Sequence, residues 1–272
     1  MRNTFSLVWI LEIIIVCASA LKLHKNKTIS HAQAKIVGGQ RLSIIDRPYM
    51  LSVHLRQKGF QCGAFIVSEE WGLTAQHCFK IMDPKQYAIR AGSDQFQRGG
   101  SIHRVTEVVV RDISLLYDKI PLYDIALFKV SPKFRFSYFI QPAKLPPVDL
   151  DYDPPILVVS GWGTSGASSG VRVLKKKGKA LVSTYLMAAR IPFVSHEKCL
   201  SVYPEVLKSD LHICYGGRGV DACTGDSGGP LGDRHTVYGI VSFGYGCAQP
   251  QIPGVYTRLA THREWIRKIA NI

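Results

Sequence analysis

Short apolar runs separated by turn-forming residues dominate the chain from residue 36 onward. Each run is four to seven residues long and either alternating or continuously apolar, which is typical of β-strands. The runs are residues 51–55, 64–67, 104–110, 125–130, 156–159 and 237–243. Only the tail, residues 260–270, has helical spacing, with Trp265, Ile266 and Ile269 on one side.

Many strands without alternating helices predict an all-β protein, a barrel or a sandwich, and exclude a parallel α/β sheet. Residues 131–155 contain six prolines and few strand signals, so we expect this stretch to join two halves. The 272 residues are 46% hydrophobic and 20% charged, with a mean hydropathy of +0.06. These values exclude a disordered chain and a multi-pass membrane protein.

The N-terminus has the pattern of a secretory signal. Arg2 precedes an apolar run, residues 5–16, which leads into Ala18-Ser19-Ala20. The alternative is a membrane anchor, but the apolar stretch is short and contains Glu12. We therefore predict a signal peptide over residues 1–20, a polar leader over 21–35 and a folded domain over 36–272.

The leader is basic, and Asn26 within it begins a glycosylation sequon that matters only if the chain is secreted. Residues 1–35 hold five Lys or Arg and one Glu, so their removal lowers the formal charge from +14 to +10. A lysine-rich segment between Gly170 and Pro192 fits the strand pattern badly. An exposed loop is the favoured interpretation, and a basic docking site or an error in the gene model are the alternatives.

The cysteines indicate three disulfides. Cys17 lies in the signal, which leaves six cysteines in a secreted chain, and the sequence alone allows 15 pairings. The six are Cys62, Cys78, Cys199, Cys214, Cys223 and Cys247. Zinc is the competing hypothesis, but no C-x-x-C occurs and the spacings are long.

Three segments together point to nucleophilic catalysis: TAQHC with His77, DIAL with Asp124, and GDSGGP with Ser227. Taken singly, each is more typical of a structural residue. A serine hydroxyl becomes a nucleophile when an imidazole takes its proton, and a carboxylate holds that imidazole in the right tautomer. Backbone N–H groups of Gly225 and Ser227 could receive the developing oxyanion.

With these motifs the chain resembles the trypsin-like serine endopeptidases of the chymotrypsin fold. The resemblance covers residues 36–272 and rests also on IVGG at 36–39, GWG at 161–163, VSFGYGC at 241–247 and PGVYT at 253–257. It implies two antiparallel Greek-key β-barrels with the active site between them and a C-terminal helix. It assigns His77 as general base, Asp124 as its orienting carboxylate and Ser227 as nucleophile, with Gly225 and Ser227 forming the oxyanion hole.

The resemblance also implies the disulfide pairs and the specificity. The pairs are Cys62–Cys78, Cys199–Cys214 and Cys223–Cys247. Asp221 falls at the floor of the primary pocket, with Ser242, Gly244 and Gly254 as further substrate-binding residues. A buried carboxylate invites a cation, so cleavage after Arg or Lys is expected. The alternative is a structural ion pair between Asp221 and Arg218.

The junction at Lys35 and Ile36 resembles the family's activation site. Cleavage after Lys35 would free the Ile36 amine to pair with Asp226, so the chain is predicted to be a zymogen that is secreted to the extracellular space. Its expected partners are peptide substrates with Arg or Lys before the cleaved bond, an activating protease and protein inhibitors. No nucleic acid, membrane, cofactor or metal is expected, and the protein is predicted to be a monomer.

Several residues depart from the family pattern, namely Gln76 before the histidine, Phe243, Thr224, and Ala64 with Phe65. The loop over residues 92–102 lacks the paired glutamates of calcium-binding relatives, so no calcium is expected there. A catalytically silent homologue acting as a binding or regulatory protein is the alternative function. Polyanion binding through the basic charge is a third hypothesis, weakened because most basic residues are spread along the chain.

Overall fold

A computed structural model describes residues 39–112, 115–116, 120–148, 150–164, 182–217 and 219–272. The predicted signal, the leader with Asn26, the Lys35–Ile36 junction and most of the lysine-rich segment lie outside the described residues, as does Arg218. No helix within the described ranges is long and apolar enough to cross a membrane.

Six antiparallel strands close the first barrel. They are β2 (Met50–Leu55), β3 (Gly59–Ile66), β4 (Trp71–Thr74), β5 (Tyr87–Ala91), β6 (Ser101–Val110) and β9 (Ala126–Ser131). Alternation explains why such strands form a barrel wall. In β5, Tyr87, Ile89 and Ala91 are buried, whereas the intervening residues are partly exposed.

Six further strands close the second barrel. They are β10 (Ile156–Gly161), β11 (Met187–Val194), β12 (His212–Gly216), β13 (Pro230–Gly232), β14 (Val237–Phe243) and β15 (Pro253–Arg258). A two-residue strand, β1 (Gln40–Arg41), adds to the edge of β11. A small hairpin of β7 (Leu115–Leu116) and β8 (Ile120–Pro121) completes the strands of the described residues. The predicted all-β fold with two barrels is confirmed.

Two α-helices lie in the second half of the described chain, α1 (His196–Val202) and α2 (Leu259–Ala270). The predicted C-terminal helix is confirmed, and its buried face is formed by Leu259, Ala260, His262 and Ile266. The prediction that only the tail is helical was wrong, because α1 also forms. Ser195 caps α1 by accepting a hydrogen bond from the Lys198 amide at 3.3 Å.

The three disulfides pair as the resemblance implied. Cys62–Cys78 ties β3 to the turn that carries His77, and Cys199–Cys214 ties α1 to β12. Cys223–Cys247 joins two loops of the second barrel. Each bond closes a loop of 15 to 24 residues, for which the loss of chain entropy stabilises the fold by about 3 kcal/mol.

Candidate active site

Strand register brings His77 and Asp124 together. In the ladder between β4 and β9, Thr74 lies opposite Ala126. His77 follows Thr74 by three residues, within a one-turn helix at Gln76–Cys78, and Asp124 precedes Ala126 by two. The two side chains therefore leave neighbouring strand ends at the same edge of the first barrel.

The Asp124 carboxylate is fully buried and accepts three hydrogen bonds. His77 Nδ1 lies 2.8 Å from Oδ2, the His77 amide donates to Oδ1 at 3.0 Å, and the Ser242 hydroxyl donates to Oδ2 at 2.5 Å. The Thr257 hydroxyl donates to the Asp124 backbone carbonyl at 2.9 Å. With the carboxylate at Nδ1, the imidazole proton is placed there and Nε2 is left as an acceptor.

The surroundings of Asp124 keep it ionised. Burial by itself disfavours the charged form, but the attraction of His77 and the hydrogen bonds from His77 and Ser242 hold the pKa of Asp124 below its ordinary value. A charged acceptor beside Nδ1 is what an imidazole needs to bind a second proton at Nε2.

Ser227 lies in a tight loop built around two glycines. Gly225 has φ +100° and Gly228 has φ +74°, values that residues with a side chain rarely adopt. The Gly63 amide donates to the Ser227 carbonyl at 2.9 Å and fixes the loop against β3. Within the described residues, the Gly225 and Ser227 amides donate to no protein acceptor, and no hydrogen bond joins the Ser227 hydroxyl to His77. Such a bond commonly tightens only when substrate binds.

Asp226 is buried next to Ser227 in the chain and faces glycines. Its carboxylate accepts hydrogen bonds from the amides of Gly163 at 2.8 Å and Cys223 at 3.0 Å. A Cβ at Gly161 or Gly163 would overlap the carboxylate oxygens, so both positions require glycine. No cation among the described residues pairs with Asp226, and burial raises its pKa to about 7.

A cavity of about 280 Å³ adjoins Ser227. The predicted substrate-binding residues Asp221, Ser242, Gly244 and Gly254 all line it, as does Ser227. The resemblance assigned these residues to one pocket, and the structure brings them together.

Asp221 is the charged group of this cavity. It is 4% exposed and accepts hydrogen bonds from the Ala222 amide at 2.7 Å and the Tyr256 hydroxyl at 3.3 Å. Burial raises its pKa to about 7, although these hydrogen bonds oppose the shift. No ion pair involves Asp221 within the described part of the chain. A Cβ at Gly254 would stand 2.7 Å from Asp221 Oδ1, so glycine there keeps the carboxylate accessible.

Two regions bear on metal binding. Cys62, His77 and Cys78 are the one group of three ligand-type side chains found together among the described residues, and both sulfurs are used in a disulfide. In the loop where calcium was not expected, Arg90 of β5 donates to the carbonyls of Phe96 at 3.0 Å, Gln97 at 3.2 Å and Gly99. A guanidinium therefore satisfies these inward-facing carbonyls.

Several contacts of the site are not indicated by the sequence. Thr257 and Tyr256 lie within the PGVYT motif, but the motif does not indicate that their hydroxyls reach Asp124 and Asp221. Ser242 was assigned to the substrate, and its hydroxyl binds Asp124. Gln76, the departure before the histidine, has a buried Oε1 that lacks a hydrogen-bond partner in the described structure.

Comparison with known proteins agrees with this geometry. The family model described as Trypsin matches residues 36–266. Trypsin 5G1 of Aedes aegypti is 34% identical over 89% of this chain and 87% of its own length, and trypsin epsilon of Drosophila erecta is 32% identical over 94% and 95%. Transmembrane protease serine 9 of Rattus norvegicus is 33% identical over 86% of this chain, which spans 22% of that longer protein. The chain therefore belongs to the trypsin family of serine proteases.

Proposed function

We propose that the chain is a secreted serine endopeptidase, made as a zymogen, that cleaves peptide bonds after Arg or Lys. One observation carries the proposal. Ser227 and Asp221, a buried carboxylate that forms no salt bridge within the described residues, line the same 280 Å³ cavity. A cavity of this kind offers a partner for one extended cationic side chain while holding the adjoining carbonyl near the nucleophile.

The chemistry follows from the positions of His77, Asp124 and Ser227. Ser227 Oγ attacks the scissile carbonyl while His77 Nε2 takes the hydroxyl proton, and Asp124 stabilises the imidazolium that results. The amides of Gly225 and Ser227 donate to the oxyanion of the tetrahedral intermediate, an interaction worth several kcal/mol. His77 then protonates the leaving amine, which gives an acyl-enzyme.

Deacylation repeats the same steps with water as the nucleophile. His77 takes a proton from water, the hydroxide attacks the acyl carbon, and the proton returns to Ser227 Oγ as the acid product departs. The chain's own residues therefore supply the base, the nucleophile and the oxyanion donors, and the reaction leaves them unchanged.

Specificity for Arg and Lys would come from the cost of an unpaired carboxylate. A substrate guanidinium or ammonium beside Asp221 supplies the counter-ion that the described residues do not. A neutral side chain would leave the carboxylate buried and unpaired. We expect Asp221→Ser to abolish the preference for Arg and Lys while leaving the slow cleavage after other residues.

Activation would supply the second missing cation. Removal of the signal (1–20) and cleavage after Lys35 would leave the domain over 36–272 with a free amine at Ile36. That amine is the proposed partner of Asp226, and the pair would order the Gly225–Ser227 loop. We infer a monomer that meets protein substrates, an activating protease and inhibitors, with Asn26 glycosylated in the leader.

The test is hydrolysis of matched short peptides carrying Arg, Lys, Phe or Ala before the scissile bond. The complete chain is expressed in eukaryotic cells, collected from the medium and treated with trace trypsin, with Ser227→Ala as the control. Arg and Lys turnover that appears with cleavage at Lys35, and is absent from Ser227→Ala and from Lys35→Gln, is the expected result.

Two outcomes would contradict the proposal. A fully active, uncleaved Lys35→Gln protein would remove the zymogen step. No turnover after correct cleavage, with all three disulfides formed, would instead favour the silent homologue. Gln76→Ala would then test whether Gln76 disables the site.

A further inference from the structure

Three aromatic side chains project into solvent just after β9. Phe136 is 41% exposed, Tyr138 is 87% exposed and Phe139 is 49% exposed. Large aromatic residues usually bury most of their surface, and several exposed together mark an interaction surface. We call residues 136–140 the aromatic turn.

The exposure belongs to a well-braced turn. The Ser137 amide donates to the Ile140 carbonyl at 2.9 Å, and the Ile140 amide donates back to the Ser137 carbonyl at 3.3 Å. The Ser137 hydroxyl accepts from the Phe139 amide at 3.2 Å, and Gln141 Nε2 donates to the Ser137 carbonyl at 2.8 Å. Ile140 is buried at the base of the turn. The fold therefore holds Tyr138 and Phe139 at a convex tip.

The turn is anchored on its other side by Phe134. This residue is 2% exposed, its ring lies 4.7 Å from that of His103, and its amide donates to the Glu69 carbonyl at 2.6 Å. Phe134 is thus in the core, whereas Phe136, two residues later, is largely exposed. One aromatic residue of this segment is structural, and three others expose much of their surface.

The segment that carries the aromatic turn is basic. Residues 131–148 contain Lys133, Arg135 and Lys144 and no Asp or Glu. Lys133 lies 3.5 Å from Glu70, whereas Arg135 and Lys144 form no salt bridge within the described residues. The segment therefore places net positive charge next to the aromatic rings, although Glu69 and Glu70 lie beside it.

A groove of about 540 Å³ begins next to the aromatic turn. Gln141, which braces the turn, lines it beside the half-exposed Ile45. Lys144, Arg234 and His235 also line the groove, and Asp46 is the acidic residue among those that line it. An anionic head group would find cations here and apolar surface next to them.

We propose that the aromatic turn and this groove attach the protein peripherally to an anionic phospholipid surface. Aromatic rings settle at the head-group level of a bilayer, and nearby Lys and Arg side chains are attracted to its phosphates. A second copy of this chain would bring like charges face to face. A protein partner would need a concavity to receive the convex tip, whereas a lipid surface adapts to it.

The test is co-sedimentation with lipid vesicles. Protein from cells expressing the full chain is mixed with vesicles of pure phosphatidylcholine, or of phosphatidylcholine with phosphatidylserine. Every variant carries the same N-terminus, so differences between variants report on the turn. We expect binding to the anionic vesicles, weakened by salt, and a loss of about tenfold or more in the partition coefficient for the Phe136→Ser, Tyr138→Ser, Phe139→Ser triple variant.

Two matched variants make the result specific. Tyr152→Ser removes another exposed aromatic side chain, 61% exposed, from a different segment and is expected to bind like the original protein. Tyr138→Ser alone alters the most exposed ring, which has no packing role, and is expected to weaken binding without lowering the temperature of thermal unfolding.

Several outcomes would overturn the proposal. These are no binding of the original protein to anionic vesicles, equal binding of the triple variant, or an equal loss in Tyr152→Ser. If Lys144→Glu with Arg234→Glu abolishes binding while the aromatic variants leave it intact, the attraction is electrostatic alone and the insertion of the turn is refuted.

Discussion

The two sides of the active site treat their buried carboxylates in opposite ways. On the His77 side, Asp124 is surrounded by an imidazole, a hydroxyl and an amide, and its pKa lies below the ordinary value. On the pocket side, Asp221 and Asp226 receive backbone amides and one tyrosine hydroxyl but no cation among the described residues, and burial raises the pKa of each to about 7.

Asp124 therefore has its charge partner within the described fold, whereas Asp221 and Asp226 have none among the described residues. Asp124 has all its partners within the described fold, so its task does not depend on any event outside it. Burial of the Asp221 and Asp226 carboxylates without a cation costs free energy. Binding of a cation recovers part of that free energy, which gives both sites an affinity for one. In our proposal the substrate supplies one cation and the Ile36 amine the other.

The largest effect is expected when the contact between Asp124 and His77 is altered. Asp124→Asn keeps the shape of the side chain but favours the wrong imidazole tautomer, so kcat should fall by about 10⁴-fold, the loss known for this triad, with little change in KM. Steady-state hydrolysis of the Arg peptide measures it. A loss below about tenfold would mean that the Asp124 carboxylate is not needed to hold His77 in the reactive tautomer.

The next largest effect tests Asp226, the buried carboxylate next to Ser227. In Asp226→Asn the proposed ion pair with Ile36 cannot form, and losing one partner of a buried pair costs about 3–5 kcal/mol. We expect the cleaved variant to lose about a hundredfold or more in kcat/KM for the Arg peptide. Its uncleaved form serves as the control, since it should match the uncleaved original protein. Full activity of the cleaved variant would refute the pairing.

The pocket carboxylate should make cation binding depend on pH. Because the folded pKa of Asp221 is about 7, the empty pocket is protonated below that pH, and a bound amidinium favours the ionised form. The affinity of benzamidine for Ser227→Ala should therefore rise by about tenfold per pH unit up to pH about 7 and then level off. Calorimetry in buffers of different ionisation enthalpy should detect proton release at pH about 6. An affinity that does not change with pH would contradict the raised pKa.

The smallest effect is expected when Asp124 loses one hydrogen-bond donor, the Ser242 hydroxyl. Ser242→Ala removes one hydrogen bond from Asp124, and a bond to a charged group contributes about 1.5–3 kcal/mol. We expect kcat to fall by about tenfold, because His77 still holds the carboxylate. Thr257→Val is the matched control, since its hydroxyl binds the backbone carbonyl instead of the carboxylate. Equal losses in both variants would indicate a packing effect.

The sequence predicted the fold class well and its individual elements less completely. Strands with strong alternation or continuous apolar runs, such as β2 and β14, were found within a residue or two. β11 was missed because it emerges from the lysine-rich segment, and α1 because seven residues are too few to show a helical period. A single sequence does not reveal which residues of two strands pair with each other. The pairing of Thr74 with Ala126 could therefore be seen only in the structure.

For the site, too, the sequence indicated the residues but not how the fold brings them together. The motifs identified the residue types, and the structure brings His77 to Asp124 and places Asp221 in the cavity beside Ser227. The hydroxyls that reach Asp124 come from β14 and β15 of the second barrel. A register shift lies between Val241 and Phe243, around Ser242, and such irregularities redirect side chains in ways that a motif does not record.

The Arg90 side chain gives the loop over residues 92–100 a cation that is covalently part of the chain. A bound metal ion occupies its site only as far as its concentration in the surrounding fluid permits, whereas a tethered guanidinium has a local concentration set by its own strand. We therefore expect the shape of this loop not to depend on the ionic composition of the medium. A chelator is expected not to loosen it, and a fluid poor in divalent ions to leave this flank of the first barrel intact.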